Sequence, residues 1–186
     1  MYKLCKTEQS ARRQRQLELG LQKMLLTRRY EDISVSDLCE YLQVPRKSFY
    51  RYFSSKDGCL YALLDHTMME FFGSFGGIDK RIPGTKLGDL DRYFAFWRER
   101  GELLDALQRN GLGGTLVNRA MDLTMRERLM PIYLLGEEPE VQRLAMAFSV
   151  CGLLSMVIQW HSEGFRQPPE EMTQIAVSIL THPLIQ

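Results

Sequence analysis

The spacing of the apolar residues is the feature that most constrains what this chain can fold into. They recur every three or four positions along nearly the whole sequence, and no stretch alternates with period two over the length of a strand. A spacing of three and four places side chains on one face of an α-helix, whereas strict alternation is typical of a half-buried strand. The sequence therefore predicts an all-α fold whose helices are separated by glycines and prolines.

Four helices are predicted in the first third of the chain. The first carries an apolar stripe formed by Leu17, Leu21, Met24 and Leu25. The second begins at Ser34, whose hydroxyl can cap a helix, with Asp37 favourably placed in its first turn. Pro45 fits the start of a helix and not its interior, so a third helix is predicted over 46–53. A longer fourth helix begins at Lys56.

Five further helices are predicted in the remainder, near 86–98, 101–109, 115–134, 139–163 and 169–181. A cluster of breakers from Gly73 to Gly84 precedes them, and we predict two domains, residues 1–65 and 66–186. The most apolar stretch runs from Leu144 to Ile158. Its 15 residues are too few to span a bilayer, so we expect a buried helix.

The charges are distributed unevenly between these two regions. The 186 residues carry a formal net charge of only +1, but residues 1–65 hold 12 basic and 8 acidic side chains, and residues 66–186 hold 12 and 15. A basic first third on a mildly acidic remainder predicts that a polyanion binds at one end only. No signal peptide is recognisable, and the four cysteines lack metal-site spacing, which favours a cytoplasmic protein with reduced thiols.

Two short helices joined by a tight turn, the second beginning at residue 46, form a helix-turn-helix. The second helix of that motif lies in the DNA major groove, so its outward face must be polar and basic. Phe49 and Phe53, four residues apart, are predicted to face inward. The predicted exposed arc contains Arg46, Lys47, Ser48, Tyr50, Arg51 and Tyr52. Lys56, at the start of the next helix, suits a phosphate oxygen.

The run from Ser34 to Asp57 resembles the DNA-binding signature of TetR-family transcriptional regulators. Its most specific part is the aromatic string of the third helix followed by Ser-Ser-Lys-Asp, with Leu60 beyond it. The resemblance implies DNA contacts by Ser34, Ser36, Arg46, Lys47, Ser48, Tyr50, Tyr52 and Lys56. Two positions depart from the family pattern. Gln43 replaces the usual turn glycine and must accept a positive φ or reshape the turn, and Pro45 offers no side-chain cap.

The sequence gives no support for an enzyme, a metal site or a cofactor. The three histidines are far apart, and no HExxH, paired-cysteine, GxSxG or phosphate-cradling glycine pattern accompanies them. Arg12, Arg13 and Arg15 either solubilise the start of the first helix or contact DNA, and the sequence does not separate these alternatives.

Aromatic and methionine side chains are dense in the second region and fit either a plain core or an adaptable apolar effector pocket. The predicted pocket wall consists of Tyr93, Trp97, Met121 and Met125. Arg98, Arg119 and Arg126 are the candidates for an anionic group of the effector.

The last two long helices are the predicted dimer interface, because the first of them is apolar nearly all round and needs cover on every side. The residues chosen are Leu144, Phe148, Cys151, Gly152, Ser155, Gln159, Ile175 and Ile179. Family resemblance implies a two-fold dimer.

These observations predict a cytoplasmic, homodimeric transcription regulator, a repressor that binds a near-palindromic operator in double-stranded DNA and responds to a small apolar effector. The alternative is a co-regulator of the same fold that acts by protein–protein interaction.

Overall fold

The computed structural model describes residues 2–3, 5, 7–73, 81–82, 87–127, 130–131 and 138–181. Within these residues nine helices and one pair of very short strands form. The helices are α1 Glu8–Leu25, α2 Val35–Tyr41, α3 Arg46–Tyr52, α4 Lys56–Gly73, α5 Leu87–Arg98, α6 Gly101–Arg109, α7 Gly113–Glu127, α8 Pro139–Ser162 and α9 Pro169–Thr181. The two-residue strands β1 Arg81–Ile82 and β2 Met130–Pro131 pair in parallel. The predicted all-α fold is confirmed.

Most predicted helix boundaries agree with the structure to within two residues. The exception is α7, which was predicted over 115–134 and ends at Glu127, with Met130 and Pro131 in β2. The apolar spacing continues past the true end, but Pro131 cannot occupy a helix interior, and the prediction gave it too little weight. The predicted breakers Gly76, Gly77, Pro83 and Gly84 lie outside the described residues.

The chain divides into two compact units that are not contiguous in sequence. The first combines Met1–Met69 with Asp105–Arg119, and the second combines Glu70–Leu104 with Ala120–Gln186. The predicted domains, residues 1–65 for DNA binding and 66–186 for effector binding and dimerisation, are divided by function, and that division stays a prediction. The structure adds that the end of α6 and the start of α7 belong with the N-terminal helices.

The core of the first unit is built on the predicted stripe of α1. Leu17, Leu21, Met24 and Leu25 are all buried, as predicted. α2 crosses close to this helix, because a Cβ added to Gly20 would come within 2.6 Å of the Leu42 side chain. Glycine at this position therefore sets how closely α1 and α2 approach.

Two polar anchors fasten residues 105–119 within the first unit. The Asn110 side chain accepts a hydrogen bond from the Tyr30 backbone N–H (2.6 Å) and donates one to the Leu25 carbonyl (2.9 Å). The Arg119 guanidinium binds the buried Asp65 carboxylate through Nε–Oδ1 (2.9 Å) and Nη2–Oδ2 (2.5 Å). Bidentate pairs of this kind fix orientation as well as distance.

In the second unit, α5 packs against α8 and α9 around fully buried aromatic side chains. Phe94 meets Trp160 edge to face, with ring centroids 5.7 Å apart. The Trp160 indole N–H donates to the Gln167 carbonyl (3.1 Å), so the polar atom of this buried side chain is satisfied.

α8 has nearly the predicted bounds of 139–163, but it is more exposed than expected for its apolar stretch 144–158. It has 24 residues, and by length and composition it is the one helix among the described residues that could cross a membrane. Only 17% of its apolar window is buried within the chain. The expectation of a buried helix over 144–158 is therefore wrong for the single chain. Its buried residues are Met146, Leu154, Val157 and Trp160, and its other apolar side chains are half-buried or exposed in the part of the chain that the structure describes.

Candidate nucleic-acid interface

α2 begins with a complete capping box, as the residue types at 34 and 37 predicted. The Ser34 hydroxyl accepts from the Asp37 backbone N–H (3.1 Å), and the Asp37 carboxylate accepts from the Ser34 backbone N–H (2.7 Å). The hydrogen bond from the Ser34 hydroxyl, aided by that from its backbone, lowers the pKa of Asp37. This arrangement fixes the N-terminus of α2 and, with it, the exposed Ser34 and Ser36.

In the turn between α2 and α3, Gln43 adopts a positive φ, which was one of the two alternatives predicted for this position. Its φ is +53°, in the left-handed region. The Gln43 N–H donates to the Glu40 carbonyl (3.0 Å), and the Val44 N–H donates to the Cys39 carbonyl (2.9 Å), which close the end of α2. Pro45 precedes α3 without a side-chain cap, as predicted.

α3 presents a basic outer face and an aromatic inner one. Phe49 and Phe53 are buried as predicted, while Arg46, Lys47, Tyr50 and Arg51 are exposed and Ser48 is half-buried. The prediction that Tyr52 lies on the exposed arc is wrong, since the structure leaves only 5% of it exposed. Position 52 is three residues after Phe49 and therefore shares its inward face.

Arg46 and Tyr50 form a pair on the exposed face, one turn apart. The Arg46 Nη2 lies 3.4 Å from the Tyr50 hydroxyl oxygen, and its guanidinium carbon lies 5.9 Å from the centre of the ring. Both side chains thus point outward together. Arginine donors and a tyrosine hydroxyl are suited to base edges and phosphate oxygens respectively.

Lys56 is held against the loop that precedes α2. Its ammonium donates to the Tyr30 carbonyl and lies 4.0 Å from the centre of the Tyr30 ring. The Tyr30 hydroxyl donates in turn to Asp57, and burial together with this hydrogen bond raises the pKa of Tyr30. Lys56 is half-buried and oriented by these contacts. Sequence reasoning assigned no role to Tyr30, whose partners lie 26 and 27 residues away.

A second feature that the sequence reasoning missed lies at the C-terminal end of α3. Tyr2 forms an isolated antiparallel bridge with Phe53, and the Lys3 N–H donates to the Tyr52 carbonyl (3.0 Å). We call residues Tyr2 and Lys3 the strap. The strap and Tyr30 therefore hold the segment from Tyr52 to Lys56, at the end of α3 and the start of α4, at two points.

The predicted effector residues differ in exposure. Tyr93 and Trp97 are buried with ring centroids 6.4 Å apart, whereas Met121 is half-buried and Met125 is 37% exposed. Neither the Tyr93 hydroxyl nor the Trp97 indole N–H makes a hydrogen bond of normal geometry with the described residues. Burial raises the pKa of Tyr93, and the nearby indole N–H offsets this only in part. Of the arginines suggested for an anionic group, Arg119 is engaged by Asp65 in the first unit.

The predicted dimer residues all lie on uncovered surface of α8 and α9. Leu144 and Phe148 are 52% and 60% exposed, and Ile175 and Ile179 are 37% and 41% exposed. The remaining members, Cys151, Gly152, Ser155 and Gln159, are exposed or half-exposed. On α8 the exposed apolar Leu144 and Phe148 precede the small residues Cys151, Gly152 and Ser155.

Comparison with known proteins bears on the helix-turn-helix directly. Residues 23–63, from the end of α1 into the first half of α4, match the sequence profile described as bacterial regulatory proteins, tetR family. Residues 23–63 therefore resemble the DNA-binding segment of tetR-family regulators. The match supports the interpretation of this segment as a DNA-binding helix-turn-helix. No curated protein sequence matches the chain.

Solved structures share the fold over nearly the whole length. Lin0861 from Listeria innocua superposes with a TM-score of 0.72 at 18% identity, covering 96% of each chain. A tetR-family transcriptional regulator from Streptomyces coelicolor gives a TM-score of 0.52 at 21% identity, covering 92% of this chain and 84% of that one. AlkX, a TetR-family repressor from Dietzia sp., gives 0.53 at 18% identity, covering 89% and 92%. At these identities the likeness concerns the fold.

Proposed function

We propose that this protein is a TetR-family transcriptional regulator, a cytoplasmic homodimer that represses transcription from a near-palindromic operator and is released by a small apolar effector. The observation that carries the proposal is the outer face of α3. Arg46, Lys47, Tyr50 and Arg51 are exposed together, whereas Phe49 and Tyr52 of the same helix are buried.

Direct base recognition falls to the basic side chains near the start of α3, where a recognition helix enters the major groove. Arg46 and Lys47 offer donors to guanine acceptors. Ser34, Ser36, Ser48 and Tyr50 suit phosphate oxygens and set the register of the helix on the duplex. Tyr52 is not proposed as a DNA contact, because its side chain is buried.

Lys56 serves as a phosphate contact with a fixed direction. Its bond to the Tyr30 carbonyl uses one donor, and an ammonium group has three. The ring of Tyr30 and the carbonyl restrict the ammonium before DNA binds, so less side-chain freedom is lost on binding.

Dimerisation explains why α8 is apolar yet uncovered. In a two-fold dimer both copies use the same patch, so the exposed Leu144, Phe148, Ile175 and Ile179 would be covered by apolar side chains of the second copy. Cys151, Gly152 and Ser155 on α8 permit close helix approach. The two α3 helices of the dimer would then reach successive major grooves about 34–36 Å apart.

Effector binding is assigned to the second unit. The buried polar atoms of Tyr93 and Trp97 have no normal hydrogen bond among the described residues, a situation that costs free energy unless a ligand or water satisfies them. Met121 and Met125, on α7, add adaptable apolar surface. An effector that binds one dimer state more tightly would shift the population away from the DNA-binding state.

Gel-shift titration with the DNA upstream of the protein's own gene tests the proposal. Arg46→Ala should weaken operator binding by about 1–3 kcal/mol, roughly 5- to 150-fold, and relax one base position. Arg166→Ala, which removes an exposed charge from the second unit, is the matched control and should bind as the parent does. If the parent binds no duplex in a salt-dependent way, direct repression is refuted and the co-regulator alternative is favoured.

A further inference from the structure

The strap is attached to the recognition helix by its backbone. Tyr2 pairs with Phe53 in an antiparallel bridge, and the Lys3 N–H donates to the Tyr52 carbonyl at 3.0 Å. Tyr52 is the last residue of α3, where carbonyl groups lack partners within the helix. The strap therefore satisfies the C-terminal end of the recognition helix, although 50 residues separate the two in sequence.

Side-chain contacts of Tyr2 hold the strap in place. The Tyr2 hydroxyl donates to Asp65 Oδ2 (2.7 Å), and its ring meets the His66 ring edge to face with centroids 5.6 Å apart. Asp65 is only 1% exposed and is also bound by Arg119. These contacts fasten the strap to α4 through a buried acceptor, so its path across α3 is fixed by more than one bond.

The direction of Lys3 follows from this anchoring. Successive side chains of an extended segment point to opposite sides. Tyr2 points toward α4, so Lys3 points away from it, and Lys3 is exposed. Its backbone lies beside Tyr52, close in the chain to Ser54 and Lys56. An uncovered ammonium is thereby placed at the end of the helix whose outer face is basic.

We propose that the strap is part of the DNA-binding surface, with Lys3 as a phosphate contact and Tyr2 as the residue that positions it. The proposal rests on DNA binding by α3. Lys3 extends the row of cations beyond Arg51 at the C-terminal end of the recognition helix, whereas Arg46 and Lys47 occupy its start. It contributes affinity for any sequence, because a phosphate contact carries no base information.

The size of the effect follows from counterion release. Each phosphate neutralised on duplex DNA contributes about 0.9 to the slope of log K against log salt concentration. Loss of the Lys3 contact should therefore reduce the slope by about 0.9. If the affinities of parent and variant converge at 1 M salt, binding at 0.1 M falls roughly eightfold.

The experiment measures duplex binding by fluorescence anisotropy over a series of salt concentrations, with operator DNA and with an unrelated duplex. Lys3→Ala should lower the slope of log K against log salt concentration by about 0.9 on both duplexes. Lys3→Arg keeps the positive charge and should keep the slope of the parent. Arg166→Ala removes the same charge from the second unit and should leave the slope unchanged. An exposed lysine can be truncated without loss of folding, which thermal unfolding of each variant checks.

A double-mutant cycle separates positioning from simple stabilisation. Tyr2→Ala should lower the slope as much as Lys3→Ala does, and the double variant should lose nothing further. If the strap only stabilises the fold, Tyr2→Ala would lower the unfolding temperature, but its slope of log K against log salt concentration would equal that of the parent. That outcome overturns the strap proposal while the DNA-binding proposal stands. If the parent itself shows no salt-dependent binding, both are overturned.

Discussion

Replacing Arg119 with alanine tests the structural basis of the first unit most sharply. Arg119 is 17% exposed and its partner Asp65 only 1%. The guanidinium makes two hydrogen bonds to the carboxylate, at 2.9 and 2.5 Å, and lies 5.0 Å from the Tyr61 ring. Arg119→Ala leaves a buried Asp65 carboxylate that still accepts a hydrogen bond from the Tyr2 hydroxyl.

The expected cost is about 3–5 kcal/mol in the free energy of unfolding, because an uncompensated charge stays buried when one partner of such a pair is removed. For a chain of this length, each kcal/mol shifts the melting temperature by about 2–4 °C, so we expect a fall of roughly 6–20 °C. Replacing both partners by apolar residues of similar volume, Asp65→Leu with Arg119→Met, should recover most of the loss.

Arg126→Ala is the matched control on the same helix. Its salt bridge with Glu127 is exposed, with 54% and 39% of the two side chains accessible, and pairs of this kind contribute at most about 1 kcal/mol. Urea and thermal unfolding should be compared at one protein concentration, because dimerisation makes stability depend on concentration. A loss at Arg119 no larger than that at Arg126 would refute the assignment of 105–119 to the first unit through this pair.

Three further substitutions test separate features. Gly20→Ala should destabilise the protein by about 1–3 kcal/mol despite the better helix propensity of alanine, because its Cβ would meet Leu42 at 2.6 Å. Adding Leu42→Ala should relieve this clash. Denaturation of the single and double variants measures both effects. Gln43→Gly should raise stability by up to about 1 kcal/mol, because glycine adopts a φ of +53° without strain, and an unchanged or lower midpoint would contradict that reasoning. Phe148→Glu, at a position 60% exposed in the single chain, should convert dimer to monomer in light scattering without unfolding the protein, whereas an intact dimer would exclude this patch as the interface.

Local patterns explain what could be predicted from the sequence. The cap at Ser34, the break at Pro45 and the inward pair Phe49 and Phe53 all depend on residues within a few positions of each other. Tyr52 was misplaced because its polar hydroxyl outweighed its position three residues after Phe49. In a helix of seven residues, position decides which side chains are buried.

Contacts between distant residues account for most of what was missed. Tyr2 finds Asp65 across 63 positions, and Asn110 finds Tyr30 across 80. No periodicity or motif marks such pairs, since they arise only when helices pack. The same limit applies to residues 105–119, whose membership of the first unit depends on Asn110 and Arg119 rather than on any change in composition.

The exposure of α8 illustrates a different limit. Its composition correctly indicates a helix that needs cover on all sides, but sequence does not say whether the cover comes from the same chain. Among the described residues, the buried face of α8 consists of Met146, Leu154, Val157 and Trp160. The uncovered remainder is the physical argument for a second copy.

Selection of duplexes from a random library by the purified protein tests the central claim most directly. A dimer that reads DNA with α3 should enrich an inverted repeat whose half-sites are centred about one helical turn, or a multiple of it, apart. Arg46→Ala should relax one position in each half-site symmetrically. Enrichment of no sequence, or of a single unpaired site, would contradict the account of a two-headed operator-binding regulator.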